Sequence, residues 1–187
     1  MVIDKPLCDA TQDGQRLFDR LHSTFAGRNS EAYIASQIQG THLDYVAQGK
    51  NRIVFVDTDG EYLSAADACV VKINKKGENN SNKVEFENFQ RITGELEKYL
   101  MPITDWHKNQ NWTVMPYITT DATEEMRKEL EKEFLRKGYK VRDVNNRNTA
   151  RVQDHAVLLD YDQFIERVNT DVMDIEERLR LIDWKYE

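Results

Sequence analysis

A lysine set inside an apolar run, Ala68-Cys69-Val70-Val71-Lys72-Ile73, constrains this chain more than any other feature. The run reads as a buried strand, and a charge is costly there unless it is paired. Two further strand-like runs precede it, Tyr45-Val46 and Ile53-Val54-Phe55-Val56. The segments between them carry turn signals, Gly49-Lys50-Asn51 and Asp57-Thr58-Asp59-Gly60. The expectation is three antiparallel strands in a meander.

Helical periodicity occupies much of the rest. Leu17, Leu21 and Phe25 recur every four residues, and Tyr33, Ile34 and Ile38 follow a Gly27–Ser30 break. From Asn82 to Leu100, Phe86, Phe89, Ile92 and Leu96 share a helix face, and Pro102 blocks continuation. Trp112–Ile118 reads as a strand. A charged helix starts at Asp121 or Thr123 and stops at Gly138. Tyr139–Val141 and His155–Leu159 read as short strands, and Gln163–Leu181 as a last helix, with Phe164, Val168, Val172, Ile175, Leu179 and Ile182 spaced for one face. A strand-rich first half and a helix-rich second half predict an α+β fold in two lobes. The expected division is an N-terminal helical extension over 1–42, a first lobe over 43–118 and a second over 119–187.

Bulk properties narrow the function. A formal net charge of -7 over 187 residues argues against a broad electrostatic grip on nucleic acid. No apolar stretch approaches the roughly 18 residues of a membrane helix. Two cysteines and four scattered histidines give no zinc-ligand spacing and no disulfide framework. They fit a reducing compartment, with Cys69 as a core residue. The N-terminus, MVIDKPLCDA, lacks a secretion signal. The expected location is cytoplasmic, with no membrane and no nucleic-acid partner.

Five polar residues stand where catalysis can use them. Besides Lys72 these are Glu85 on the following helix, Asp143 and Asn148 in Val-Arg-Asp-Val-Asn-Asn-Arg-Asn, and Asp160 in Leu-Leu-Asp-Tyr-Asp. Phosphoryl transfer has a use for each. A lysine neutralises phosphate charge, and a glutamate holds the lysine. A carboxylate and an amide bind magnesium, and a second carboxylate orients the acceptor hydroxyl. The residues taken singly leave other readings open. Glu85 can be a solvated helix position, Asp143 and Asn148 turn formers, and Asp160 a helix cap. Asn145, Asn146 and Arg147 read as loop residues and His155 as structural.

In this order and spacing, the stretch from about Tyr45 to Tyr161 resembles the protein-kinase-like superfamily, in particular its minimal and atypical members of phage or archaeal type. The resemblance implies a two-lobed fold, with a small antiparallel-sheet N-lobe and a truncated helical C-lobe, that binds ATP and Mg2+. Gly49 through Val54 looks like a reduced glycine-rich loop, so Gly49 would approach the nucleotide. Lys72 would take the phosphate-binding role. Asn82-Lys83-Val84-Glu85 resembles the start of the regulatory helix, which makes Glu85 the lysine's partner, with Glu87 or Asn88 as register alternatives. Met115 would border the adenine pocket, and Tyr117 lies in the segment whose backbone would bind the base. Asp143 to Asn148, five residues apart, matches the catalytic-loop spacing. Asp143 would be the base, and Asn148 and Asp160 the metal ligands.

The sequence also departs from the family. Ala47 and Arg52 stand where glycines are usual in the nucleotide loop, Asp162 replaces the glycine after Asp160-Tyr161, and Val141 stands where His or Tyr is usual. Only 27 residues follow Asp160. The leading expectation is an ATP- and magnesium-dependent phosphotransferase with an unassigned acceptor. The alternative is a catalytically inactive pseudokinase, a nucleotide-binding or protein-interaction module. The N-terminal helices could dock a protein partner.

Overall fold

The computed structural model describes residues 10–65, 67–77, 80–162, 165–167 and 175–186. The chain divides into two compact units, Met1–Phe86 with Pro102–Tyr117, and Glu87–Met101 with Ile118–Glu187.

The first unit opens with helices α1 (Gln12–Thr24) and α2 (Glu31–Ile38). Thr11 and Ser30 cap them, each side-chain oxygen accepting from a first-turn N–H. Five strands follow: β1 (Leu43–Gln48), β2 (Arg52–Asp57), β3 (Cys69–Asn74), β4 (Asp105–Trp106) and β5 (Trp112–Pro116). They form one antiparallel sheet in the order β1-β2-β3-β5-β4. Helix α3 (Ser81–Arg91) follows β3.

Strand alternation gives this sheet two different faces. Ile53, Phe55, Val71, Ile73, Trp112 and Val114 lie on one, buried in a single core with Leu17, Phe18, Leu21 and Phe25 of the N-terminal segment. Burying each such side chain stabilises the unit by about 1.5–3 kcal/mol. Leu17, Phe18, Leu21, Phe25, Ile34 and Ile38, from the stretch expected as an extension over 1–42, thus share the core of this unit. The helix comes close because Gly14 has no side chain: a Cβ there would lie 2.3 Å from the Tyr62 carbonyl oxygen. The opposite face, carrying Lys72, has a different composition.

The β2–β3 connection is ordered by Asp57. Its fully buried carboxylate accepts from the backbone N–H groups of Glu61, Tyr62 and Leu63 at 3.2, 2.8 and 2.9 Å. At the surface, His42 lies 3.0 Å from Asp59 and 2.9 Å from Glu61. The hydrogen bond to Asp59, then the Glu61 charge, raise the His42 pKa. A raised folded-state pKa contributes stability that is fully present below the unfolded value of about 6.5 and is lost as pH rises through the folded value. The melting temperature of the wild type minus that of His42→Ala should therefore shrink between about pH 6 and pH 8. A difference constant with pH would mean that the ion pairs contribute nothing.

Cys69 is disulfide-bonded, against the expectation of a reduced core thiol. Its partner position lies outside the described residues.

The second unit takes up the C-terminal part of α3 and a 3-10 turn at Gly94–Tyr99. The single helix expected over 82–100 is broken there, because Gly94 adopts a left-handed φ of 72°. Helix α4 (Glu124–Arg136) is capped by Thr123, buries Leu130, Phe134 and Leu135, and ends before Gly138, whose φ is 79°. Two small antiparallel pairs follow. Strand β6 (Tyr139–Val141) pairs with β9 (Ile165–Arg167), and β7 (Thr149–Val152) with β8 (His155–Leu158). Helix α5 (Ile175–Lys185) follows.

The helix expected over Gln163–Leu181 is thus corrected. Residues Ile165–Arg167 are a strand, because β6 offers them a partner edge, and the helix starts only at Ile175. Gln163, Phe164, Val168 and Val172 lie outside the described residues. Among the described residues no helix is long and apolar enough to cross a membrane.

Candidate functional site

Lys72 points from β3 onto the sheet face opposite the core. Its Nζ donates to Glu85 Oε1 of α3 at 2.8 Å. The second carboxylate oxygen of Glu85 accepts from Arg52 Nη1 of β2 at 2.9 Å. The Lys72 and Arg52 side chains are each 7% exposed and that of Glu85 is 0% exposed. In such a dry setting, loss of the shared acid costs several kcal/mol.

The register is set by Asn82. One turn before Glu85, its Nδ2 donates to the Lys72 carbonyl at 2.9 Å and to the Asn111 carbonyl at 3.2 Å, and its own N–H donates to Asn74 Oδ1 at 3.3 Å. The Asn-x-x-Glu spacing thereby fastens the helix start to β3 and turns Glu85 towards the lysine. Of the register alternatives, Asn88 lies in the second unit, where its Nδ2 donates to the Tyr161 carbonyl at 2.7 Å.

Arg52 was expected to occupy a glycine position in the nucleotide loop. It is instead a strand residue, paired with Asn74 across β2–β3, with its guanidinium on Glu85. The turn proper is Gly49–Asn51. Lys75 Nζ closes it by donating to the Gly49 carbonyl at 2.9 Å and to Gln48 Oε1 at 3.1 Å. A Cβ at Gly49 would meet nothing within 4 Å, so the fold itself makes no demand for glycine there.

Strand register places Val54 and Thr113 directly opposite Lys72, and Met115 opposite Val70. Val54, Val70 and Met115 thus give an apolar strip on the lysine's own face. Within it, the fully buried Thr113 hydroxyl has no hydrogen-bond partner among the described residues. Buried polar atoms are nearly always paired, which makes this hydroxyl an exception in the sheet. Tyr117 differs: its N–H donates to the Ala68 carbonyl at 2.9 Å. A base contact at that residue would fall to its carbonyl or ring.

The second unit assembles the other residues. Asp143 follows β6 with a left-handed φ of 54°, which Asp tolerates better than most side chains and which clusters at functional sites. Asn148 Nδ2 donates to Asp143 Oδ2 at 3.1 Å, and Asn145 Nδ2 to Asp143 Oδ1 at 2.9 Å. The five-residue spacing therefore does bring Asp143 and Asn148 together. Asn145, read from sequence as a loop residue, organises the whole turn: its Oδ1 accepts from the N–H groups of Arg147 and Asn148 at 2.8 and 3.2 Å.

The β7–β8 pair joins Asn148 to the Asp160 segment. Leu159 N–H donates to the Asn148 carbonyl at 2.9 Å, one residue before Asp160. Tyr161, fully buried, donates its hydroxyl to the Met101 carbonyl at 2.8 Å and so fixes the chain just after Asp160. Asn148 turns its Nδ2 to Asp143, which leaves Oδ1 as the atom that could ligate a hard cation. That oxygen and the Asp160 carboxylate are the hard donors magnesium prefers. Among the described residues there is no cluster of three His, Cys, Asp or Glu side chains.

No protein-family profile matches the chain, and no curated protein matches it. Among solved structures, Rad53 1-466 in complex with AMP-PNP aligns with 71% of this chain at 15% identity and a TM-score of 0.42. The chain spans 43% of that protein's length. That likeness is too distant to assign a fold family or a function.

Proposed function

We propose that this chain is a minimal, atypical kinase-like phosphotransferase that uses ATP and Mg2+. One observation carries the reading: the buried ion pair of Lys72 on the third strand with Glu85 on the helix that follows. Protein kinases use a third-strand lysine, held by a glutamate of the next helix, to grip nucleotide phosphates. The apolar strip formed by Val54, Val70 and Met115 supports a nucleotide on that face, with the base against Met115.

Magnesium, held by Asn148 and Asp160, would supply charge neutralisation at the phosphates. Asp143 orients the acceptor hydroxyl. The acceptor O–H bond breaks and Asp143 takes the proton. The acceptor oxygen bonds to the γ-phosphorus as the bond to the β–γ bridging oxygen breaks, releasing a nucleoside diphosphate.

A second reading, a pseudokinase that binds nucleotide without transfer, is favoured by Asp143 itself. Both of its carboxylate oxygens already accept hydrogen bonds from loop amides, as in a purely structural turn. A protein partner docking on α1 and α2 would meet their polar faces, because the apolar faces lie in the core.

Thermal denaturation with and without Mg–ATP tests the nucleotide claim common to both readings. A ligand bound only to the native state, at 100 times its dissociation constant, adds about 2.7 kcal/mol. The wild type should therefore melt several degrees higher with nucleotide, and Lys72→Ala should lose most of that rise. Equal rises in the two proteins would remove Lys72 from the site.

A further inference from the structure

At the end of β3 two consecutive residues fasten two different elements. Asn74 Oδ1 accepts from the Asn82 N–H at 3.3 Å and so holds the start of α3. Lys75 holds the Gly49–Asn51 turn at both of its ends. Its Nζ donates to the Gly49 carbonyl at 2.9 Å, and its backbone N–H to the Asn51 carbonyl at 2.8 Å. A second bond from Nζ reaches Gln48 Oε1 at 3.1 Å, and Gln48 Nε2 donates in turn to the Asn29 carbonyl of the α1–α2 link at 2.8 Å. Lys75 is 3% exposed. A buried ammonium is costly without hydrogen bonds, and both of these fall at the turn. From its other side the turn is tied to α3, because Asn51 Nδ2 donates to Ser81 Oγ at 3.0 Å. Ser81 begins the helix that carries Glu85.

Register gives this turn a place on the path of a nucleotide. Val70, Lys72 and Asn74 follow one another along one face of β3. Met115 lies opposite Val70, and Arg52, the residue after the turn, lies opposite Asn74. A nucleotide with its base against Met115 and its phosphates on Lys72 therefore runs on towards the turn. Glycine does not shape that turn, since a Cβ at Gly49 would meet nothing within 4 Å.

We propose that Lys75 is a positioning residue for nucleotide binding, one that holds the Gly49–Asn51 turn where it meets the phosphates. The inference rests on the nucleotide-binding part of the kinase-like reading and names the residue that fixes its loop. A turn ordered before the ligand arrives lowers the entropy loss that binding must overcome. Lys75 touches the turn and not the nucleotide, so it acts on affinity.

The test is calorimetric titration of the full chain with Mg2+ and a non-hydrolysable ATP analogue, alongside urea denaturation and amide hydrogen exchange without nucleotide. Lys75→Met keeps the stem and removes the donors. It should weaken nucleotide binding about ten-fold, the effect of leaving about one residue of backbone for the ligand to order. It should also speed exchange at the amides of Gly49–Asn51. Gln48→Ala, at a half-buried strand end, removes one of the two acceptors and should weaken binding about three-fold, so it carries the test even where Lys75→Met disturbs folding. A merely structural lysine gives a different result: the urea midpoint falls while the folded variant keeps wild-type affinity. That result, wild-type affinity in Gln48→Ala, or unchanged exchange at the turn in Lys75→Met would each overturn the proposal. The nucleotide reading fails separately. No binding by the wild type sinks it and the inference with it, whereas wild-type binding that both variants retain in full sinks the inference alone.

Discussion

Glu85→Ala should lower the unfolding free energy by about 3–5 kcal/mol, because it leaves Lys72 and Arg52 buried without their shared acid. Against a typical total of about 5–15 kcal/mol, that is enough to bring the first unit near its unfolding threshold at room temperature. Lys72→Met should cost less, since Arg52 still pairs Glu85 and the methionine chain fills the same space on the sheet face. Urea denaturation of the three proteins decides it. The order wild type, Lys72→Met, Glu85→Ala in falling midpoint is expected. A Glu85→Ala midpoint close to that of the wild type would mean that the carboxylate is not the hub of a dry ion pair.

The largest effect on activity belongs to Asp143→Asn. Asparagine tolerates the same left-handed backbone, but its amide nitrogen cannot accept, so one of the hydrogen bonds from Asn145 and Asn148 is lost and folding should weaken by about 1 kcal/mol. The phosphoryl-transfer rate should fall by about 10²–10⁴, the usual worth of a positioned base. The nucleotide melting shift should stay, because Asp143 faces the acceptor rather than ATP. Transfer of radiolabelled phosphate, measured as initial rates, checks this. Unchanged transfer would make Asp143 a turn former. Absence of transfer in the wild type, together with a normal nucleotide shift, would favour the pseudokinase.

Parts of this architecture were legible because burial makes demands that sequence reveals. A lysine between valine and isoleucine needs an acid, and the next helix offers Glu85 with Asn82 three positions before it. The core strands announced themselves by β-branched runs, and α4 by Thr123 and Gly138 at its ends. Arg52 escaped because it was read against a glycine-loop pattern rather than as a strand residue whose long side chain reaches the helix. Asn145 escaped because an Asx turn uses the residue types of any loop. Strands β7 and β9 are short and polar, and the turn between β7 and β8 places Gln153 at a φ of 54° without a glycine to signal it. Gly94 was a visible breaker, outweighed by helical periodicity on both sides.

The most direct test of the central claim is a crystal structure grown with Mg2+ and a non-hydrolysable ATP analogue. The account predicts phosphate oxygens within about 3 Å of Lys72 Nζ, with Glu85 still bound to the lysine and the base against Met115. Nucleotide density elsewhere on the molecule, with the Lys72 face empty, would contradict it.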